Sequence, residues 1–148
     1  MGRKITESQN IALDLVDACC KTIDMETAVK GVRKLCLYFG GALYYIPRNK
    51  KNGRSLEEMS EVLHNAVGSH AAEIIINKLM SLYGTLQVYI PLEKTAFEDI
   101  IAEEIYHRQT VENVYMREMC RDYHLCFTKV YQLWRKGRKI KLSKEIKK

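Results

Sequence analysis

Basic side chains are concentrated near the C-terminus of this sequence. Residues 129–148 carry nine lysines and arginines against one acid, Glu145, so this basic segment has a net charge of +8. The rest of the chain carries 15 basic and 17 acidic residues, so the overall charge of +6 arises from this segment. Such a cluster suits a polyphosphate ligand. A solvated charge run that binds nothing is the alternative, and only a neighbouring motif can decide between the two.

A candidate motif overlaps the start of the basic segment, in MREMCRDYHLCFTKVYQLWRKGRK at residues 116–139. If His124 occupies a turn, Met119 and Cys120 precede it by five and four residues as packing groups, and Val130 and Leu133 face inward from the next helix. This spacing predicts a helix-turn-helix whose second helix reads DNA. A plain helical hairpin with the same core is the alternative.

The residues left on the outside of the second helix suit base edges and phosphates. They are Thr128, Lys129, Gln132, Arg135 and Lys136. Gly137 is expected to end or loosen this helix. Phosphate contacts would then come from Arg138 and from the basic tail, residues 139–148, through Lys139, Lys141 and Lys144. Trp134 is expected to lie half-buried and close the core of the small domain.

The first part of the chain contains an internal repeat with an offset of 44 residues. KLCLYFGGALYYIP at 34–47 aligns with KLMSLYGTLQVYIP at 78–91. The identical pairs are Lys34/Lys78, Leu35/Leu79, Gly40/Gly84, Tyr45/Tyr89, Ile46/Ile90 and Pro47/Pro91. Apolar residues keep helical spacing further upstream in both copies, so each copy is predicted to form two helices and a strand.

The repeat predicts a mostly α fold in which the two copies form one assembly domain, residues 1–93, with units at about 10–53 and 54–93. Strands at 42–47 and 86–91 should pair antiparallel within the chain, as a short two-stranded ribbon backed by helices. Pairing between chains, as in an ordinary dimer, is the alternative. Helix caps are expected at Asp24, Ser55 and Ser69 and in Thr95–Glu98, with helix ends at Gly40 and Gly84.

Other chemistry finds little support in the sequence. The five cysteines suit free thiols in a reducing compartment, and the spacing of Cys120, His124 and Cys126 is irregular for zinc. Neighbouring acids on helices diverge, and no phosphate loop or nucleophile motif is present. We therefore expect no enzyme activity, no cofactor and no metal. Without an apolar span or a secretory signal, the expected location is the cytoplasm, with no membrane partner.

Gly84-Thr-Leu-Gln-Val-Tyr-Ile-Pro91, taken together with residues 122–139, resembles the Mor/C family of phage middle-operon transcription activators over about residues 65–138. The resemblance implies a strand near the DNA minor groove and a helix-turn-helix in the major groove. It places Gln87 and Tyr89 at the minor groove, and Phe127, Val130 and Tyr131 in the recognition helix. Activation rather than repression, and RNA polymerase as a candidate partner, also come from this resemblance.

Three departures from the family pattern are visible. His124 stands where the family has glycine, Leu43 stands in the first copy where the second has Gln87, and the first copy has no helix-turn-helix of its own. A single chain would then imitate the family's dimer core while carrying one helix-turn-helix. A homo-oligomer and an intramolecular pseudo-dimer both stay open.

The sequence therefore predicts a sequence-specific regulator that binds double-stranded DNA, with a helix-turn-helix domain at 94–138. The competing hypothesis is a protein-interaction or adaptor module that binds nucleic acid without sequence preference through its basic C-terminus. Exposed Gln87 and Tyr89 also have a plain explanation, because alternate residues of a ribbon must face away from the core.

Overall fold

The computed structural model describes residues 10–49 and 53–146, so Lys50, Lys51 and Asn52 of the linker and Lys147 and Lys148 of the basic tail lie outside the described residues. The described residues form seven helices and one two-stranded antiparallel sheet, which confirms the mostly α prediction. The chain divides into unit 1, Met1–Ala96, and unit 2, Phe97–Lys148. In the described part of the chain, no helix has both the length and the apolar character that a membrane crossing needs.

Unit 1 contains three long helices, two strands and a helical turn. They are α1 (Ile11–Cys19), α2 (Met25–Phe39), β1 (Ala42–Tyr45), α3 (Arg54–Tyr83), β2 (Gln87–Ile90) and α4 (Glu93–Ala96). Asp24 caps α2 as predicted, since its carboxylate accepts from the Thr27 backbone N–H at 3.0 Å, and this bond lowers the pKa of Asp24. Gly40 and Gly84 end α2 and α3, also as predicted.

The start of α3 differs from expectation, whereas its division into two helical segments agrees with it. The helix begins at Arg54 after Gly53, so Ser55 lies inside the first turn and provides no cap. The backbone breaks at Gly68, which has φ 86° and ψ 169°, so α3 consists of two helical segments, as the sequence predicted for this copy. Only glycine adopts such a conformation readily, so the break comes one residue before Ser69, the expected cap.

β1 and β2 pair antiparallel within the chain, which confirms the predicted ribbon. The opposed pairs are Ala42/Ile90, Leu43/Tyr89, Tyr44/Val88 and Tyr45/Gln87. Both strands are shorter than predicted. Pro47 and Pro91 lack an N–H to donate, and the Leu86 N–H donates to the Tyr83 carbonyl at 3.0 Å instead of across the ribbon.

Unit 2 consists of α5 (Glu98–Thr110), α6 (Met116–Tyr123) and α7 (Phe127–Ile146). The capping box expected at Thr95–Glu98 is absent, because α4 occupies residues up to Ala96 and Phe97 precedes α5 without a side-chain cap. The core is formed by the apolar sides of the three helices. Its buried members are Phe97, Ile101, Ala102, Ile105, Met119, Val130 and Leu133.

Gly137 does not end α7, contrary to the prediction, and the helix continues to Ile146. Gly137 is buried, and a Cβ atom there would collide with the Ala102 backbone carbonyl of α5. The glycine therefore permits close packing of α5 against α7. Residues 139–146 of the basic tail are consequently a continuation of the helix.

Candidate nucleic-acid interface

The turn between α6 and α7 is built around His124. Its backbone is left-handed, with φ 55° and ψ 46°, a conformation that non-glycine residues adopt rarely but histidine tolerates. The Leu125 N–H donates to the Cys120 carbonyl at 3.0 Å, which closes the turn. Met119, Val130 and Leu133 are buried as the motif predicted, whereas Cys120 is only half-buried. The geometry thus sets α7 directly after a tight turn.

Contacts of α5 with the end of α6 hold this turn in place. Arg108 of α5 forms an ion pair with Asp122 at 2.7 Å and lies over the Tyr123 ring. The Tyr123 hydroxyl donates to Glu104 at 3.0 Å. The hydrogen bond to Asp122 raises the pKa of Arg108, and burial raises the pKa of Tyr123, so the guanidinium stays charged and the phenol stays neutral near pH 7.

The outward side of α7 carries most of the predicted DNA-contacting residues. Helical periodicity places this outward side opposite buried Val130, Leu133 and Gly137. The exposed set is Thr128, Tyr131, Gln132, Arg135, Arg138 and Lys139, preceded by exposed Phe127. Among the described residues, no acidic side chain pairs with Arg135, Arg138 or Lys139. This side of α7 therefore offers a polar and cationic surface that also includes two exposed aromatic side chains.

Two predicted contact residues lie on another side of α7, against the acids of α5. Lys129 and Lys136 each lie 3.0 Å from a Glu98 carboxylate oxygen, and Lys136 also pairs with Asp99 at 2.9 Å. The hydrogen bonds from Lys129 and Lys136 lower the pKa of Glu98, while those to Asp99 and Glu98 raise the pKa of Lys136. Both lysines are half-buried, so these ion pairs help to fix the position of α7 on α5.

The remaining predicted phosphate contacts also lie toward α5. Lys144 pairs with Glu103 at 2.7 Å. Lys141 lines a groove between α5 and α7 together with Tyr106 and His107. Lys141 and Lys144 therefore lie toward α5, whereas Arg138 and Lys139 lie on the exposed outward side of α7.

Arg117 and Arg121 of α6 were not identified from the sequence. Both are exposed, and their spacing of four residues places them on one side of the helix, away from buried Met119. Together with Tyr115, Glu118 and Phe127 they line an open groove that follows α6 to the first residue of α7. The i, i+4 spacing of the two arginines within MREMCR was the available signal.

Trp134 lies half-buried within unit 2, as expected. Its ring is 5.6 Å from the Tyr106 ring and stacks at 6.0 Å with Tyr131. The indole N–H donates to the Gln109 side-chain oxygen at 3.1 Å. These contacts leave Trp134 a packing role.

The cysteines are free thiols in the structure. Burial raises the pKa of Cys19 to about 11 and that of Cys36 to about 12, so both stay protonated and unreactive near pH 7. Within residues 10–49 and 53–146, no group of three acidic, histidine or cysteine side chains is arranged to hold a metal ion, Cys120, His124 and Cys126 included.

The outward face of the ribbon in unit 1 carries the other predicted contacts. Gln87 and Tyr89 are exposed, while Val88 and Ile90 between and beside them are buried. The opposed residues of β1 on this face are Tyr45 and Leu43, which is 60% exposed. The face therefore combines one amide and two phenols with an apolar side chain.

Comparison with known proteins gives one family. A sequence model of the Mor transcription activator family matches residues 49–147, two thirds of the 148-residue chain. The match covers α3, β2 and all three helices of unit 2, and it begins after β1. No curated protein matches the chain. No solved structure matches it either.

Proposed function

Because the chain belongs to the Mor transcription activator family, we propose that it is a sequence-specific DNA-binding transcription regulator. In this proposal α6 and α7 form a helix-turn-helix, and the outward side of α7 enters the major groove. The observation that carries the proposal is the exposed surface of α7, where Thr128 and Gln132 lie beside Arg135, which forms no ion pair with a described acid. Hydroxyl, amide and guanidinium groups on one helix side are suited to base edges and adjacent phosphates.

Residues near the start of α7 carry base recognition in this proposal. Gln132 can pair bidentately with adenine, and Arg135 can do so with guanine. Phe127 and Tyr131, which are 59% and 46% exposed, supply apolar contacts to bases or sugars. Lys129 and Lys136 act mainly by positioning α7, because Glu98 pairs with both and Asp99 pairs with Lys136 as well.

Phosphate binding is assigned to the cations that the described acids leave unpaired. Arg138 and Lys139 continue the outward side of α7, and Arg117 and Arg121 provide a second pair on α6. Two short cationic sides on neighbouring helices are suited to the two phosphate strands that border a groove. Lys141 and Lys144 make weaker contributions, since they face the acids and aromatic rings of α5.

Unit 1 is proposed to be a duplicated assembly module. The equivalent glycines Gly40 and Gly84 end equivalent helices with similar backbone angles, φ −63° and ψ 147° against φ −56° and ψ 138°. A paired strand begins two residues after Gly40 and three residues after Gly84, and this order supports two copies of one helix-helix-strand segment. On the exposed face of the ribbon, Gln87 and Tyr89 are proposed to contact the minor groove, where an amide can donate to base acceptors.

A protein partner of the ribbon is the competing proposal. Leu43 and Tyr45 expose apolar surface on the same face as Gln87 and Tyr89, and such surface also suits another protein. RNA polymerase is the candidate partner, as expected for a transcription activator. In this version the basic helix would bind DNA without sequence preference.

A gel-shift titration across a salt series separates the two proposals. One duplex would be selected from a random pool by the protein, and the other would have the same composition with a scrambled sequence. Specific recognition predicts that the selected duplex binds on the order of 1,000-fold more tightly at physiological salt. Equal affinities that fall together with rising salt would instead indicate nonspecific binding. Arg117→Ala with Arg121→Ala should weaken both duplexes alike.

A further inference from the structure

The pairing register of the ribbon is symmetric about one residue pair. Tyr44 lies opposite Val88, which follows it by 44 residues, the offset of the sequence repeat. A two-fold rotation about this pair superposes the pair Leu43/Tyr89 on the pair Gln87/Tyr45. Two copies of one segment that pair in this way form an isologous contact, like that of a symmetric dimer.

The hydrogen bonds beside the ribbon obey the same symmetry. The Gly41 N–H donates to the Ile90 carbonyl at 2.7 Å, and the Thr85 N–H donates to the Ile46 carbonyl at 2.7 Å. A shift of 44 residues converts one bond into the other. Gly41 and Thr85 also share a left-handed backbone, with φ 92° and φ 72°. A β-branched residue adopts this conformation at a cost, so the symmetric turn is imposed by the pairing rather than by local preference.

A helix contact in the core repeats the pattern. A Cβ atom on Gly31 of α2 would lie 2.6 Å from the Ile75 Cδ1 of α3, and these residues are again 44 positions apart. A residue that touches its own equivalent lies close to a two-fold axis. The pseudo-two-fold axis therefore runs through the helix layer as well as through the ribbon.

Equivalent apolar positions of both copies are buried inside unit 1. None of the following side chains is more than 3% exposed: Leu15 and Met59, Cys19 and Leu63, Ala28 and Ala72, Val32 and Ile76, Leu35 and Leu79. In a symmetric dimer, these faces would be covered by a second chain. Here one chain covers both, so this core needs no second copy.

Only the second copy is followed by a DNA-binding segment. β1 leads through residues 46–53 into α3, whereas β2 leads into α4 and then into α5, α6 and α7. We infer that the chain binds DNA as a single copy and recognises an asymmetric site rather than an inverted repeat, an inference that rests on the proposed function. A symmetric site requires two related reading helices, and a symmetric core with one such helix presents only one.

The number of chains and the shape of the site can be measured together. Sedimentation of the free protein should give the mass of one chain, 17.2 kDa. Its complex with a selected duplex should also contain one chain. The DNA duplexes selected from a random pool should share one sequence element that has no inverted symmetry. Two chains on an inverted repeat would overturn the inference. A monomer that shifts no duplex would contradict the proposed function and, with it, the predicted site, whereas a free dimer would contradict the single-copy inference alone.

A cross-link tests the internal pairing directly. Leu43→Cys combined with Tyr89→Cys places two thiols on opposed, exposed residues of the ribbon. Oxidation at low protein concentration should give a monomer with altered mobility on a non-reducing gel, reversed by reductant. The single Leu43→Cys variant is the control for cross-links through the five native cysteines. A covalent dimer in excess of that control would show pairing between copies and would overturn the inference.

Discussion

Gln132 lies on the exposed side of α7, two residues after buried Val130 and one before buried Leu133. Gln132→Ala should cost about 1–3 kcal/mol of binding free energy at the preferred site and little on scrambled DNA, because it removes the proposed base contact and leaves the cations. Gel-shift titrations with both duplexes measure the difference. Ser143→Ala, also exposed on α7, is the control. An equal loss on both duplexes would rule out the assignment of α7 as the recognition helix.

Lys139 and Lys144 differ in their surroundings although both belong to the basic tail. Lys139 is exposed without an acidic partner among the described residues, whereas Lys144 pairs with Glu103 at 2.7 Å. Lys139→Ala should reduce the slope of log affinity against log salt by about one unit, as expected for one lost phosphate contact. Lys144→Ala should change it less. Equal slopes for the two variants would contradict the proposed division of the tail.

The sequence could identify the basic segment but not which of its lysines are neutralised. Charge and spacing marked Lys129, Lys136 and Lys144 as equivalent to their neighbours. Their partners Glu98 and Glu103 lie 31 to 41 residues earlier in the chain. Such pairing depends on how α5 and α7 cross, which no local pattern specifies.

The crossing of α5 and α7 depends on a glycine. Gly137→Ala should destabilise unit 2 by about 1–3 kcal/mol, because the new methyl group meets the Ala102 backbone carbonyl, which cannot rotate away. The gain in helix propensity, about 1 kcal/mol, offsets only part of this cost. Urea unfolding followed by Trp134 fluorescence measures the change. Ser143→Ala should shift the same curve by less than about 0.5 kcal/mol, and an unchanged Gly137→Ala curve would show that the helices do not pack this closely.

Helix α5 also holds α7 through Glu98, and this contact is sensitive to acid. The hydrogen bonds from Lys129 and Lys136 keep the pKa of Glu98 below its ordinary value of 4.5 in the folded state. The contribution to stability is therefore fully present above pH 4.5 and is lost as the pH falls through the lower folded-state pKa. Glu98→Gln should be less stable than the native chain near neutral pH, and the gap should close in acid. A gap that stays constant with pH would contradict this.

Gly137 also explains why the predicted end of α7 was wrong. A glycine in the last part of a basic amphipathic helix is typical of a helix end, and Gly137 was interpreted in that way. The alternative, an internal glycine at a helix crossing, requires knowledge of the opposite backbone. Gly40 and Gly84 were predicted correctly as helix ends, because a strand pattern follows each of them.

For the whole molecule, two spectroscopic signals can show whether the two units unfold separately. Trp134 is the only tryptophan of the sequence and lies in unit 2, whereas Gly31 lies in unit 1 and packs against Ile75 of α3. Gly31→Val should destabilise unit 1 by about 1–3 kcal/mol through overpacking against Ile75 and Leu63. Far-ultraviolet circular dichroism should then show earlier loss of helix in urea, with the Trp134 transition unchanged. A matching shift of the Trp134 transition would mean that the units unfold as one.

The order of the helices and the ribbon could be predicted because repeat, caps and apolar spacing agree along the chain. Asp24, Gly40 and Gly84 each fix an element boundary by local chemistry. The true start of α3 was less accessible, because the capping sequence at Ser55 matches the rule although the helix is capped two residues earlier, at Gly53. Arg117 and Arg121 were missed because their significance depends on the groove that they share with Phe127.

The ribbon of unit 1 joins two parts of one polypeptide, so its formation is a first-order event. A core made from two chains dissociates when the protein becomes scarce, whereas a core within one chain has no such dissociation. Below saturation, occupancy of a promoter by the inferred single copy would fall in proportion to protein abundance, whereas occupancy by a weak dimer would fall with the square of the abundance. In a cell that produces this protein, promoter occupancy would therefore change gradually with gene dosage and would show no threshold.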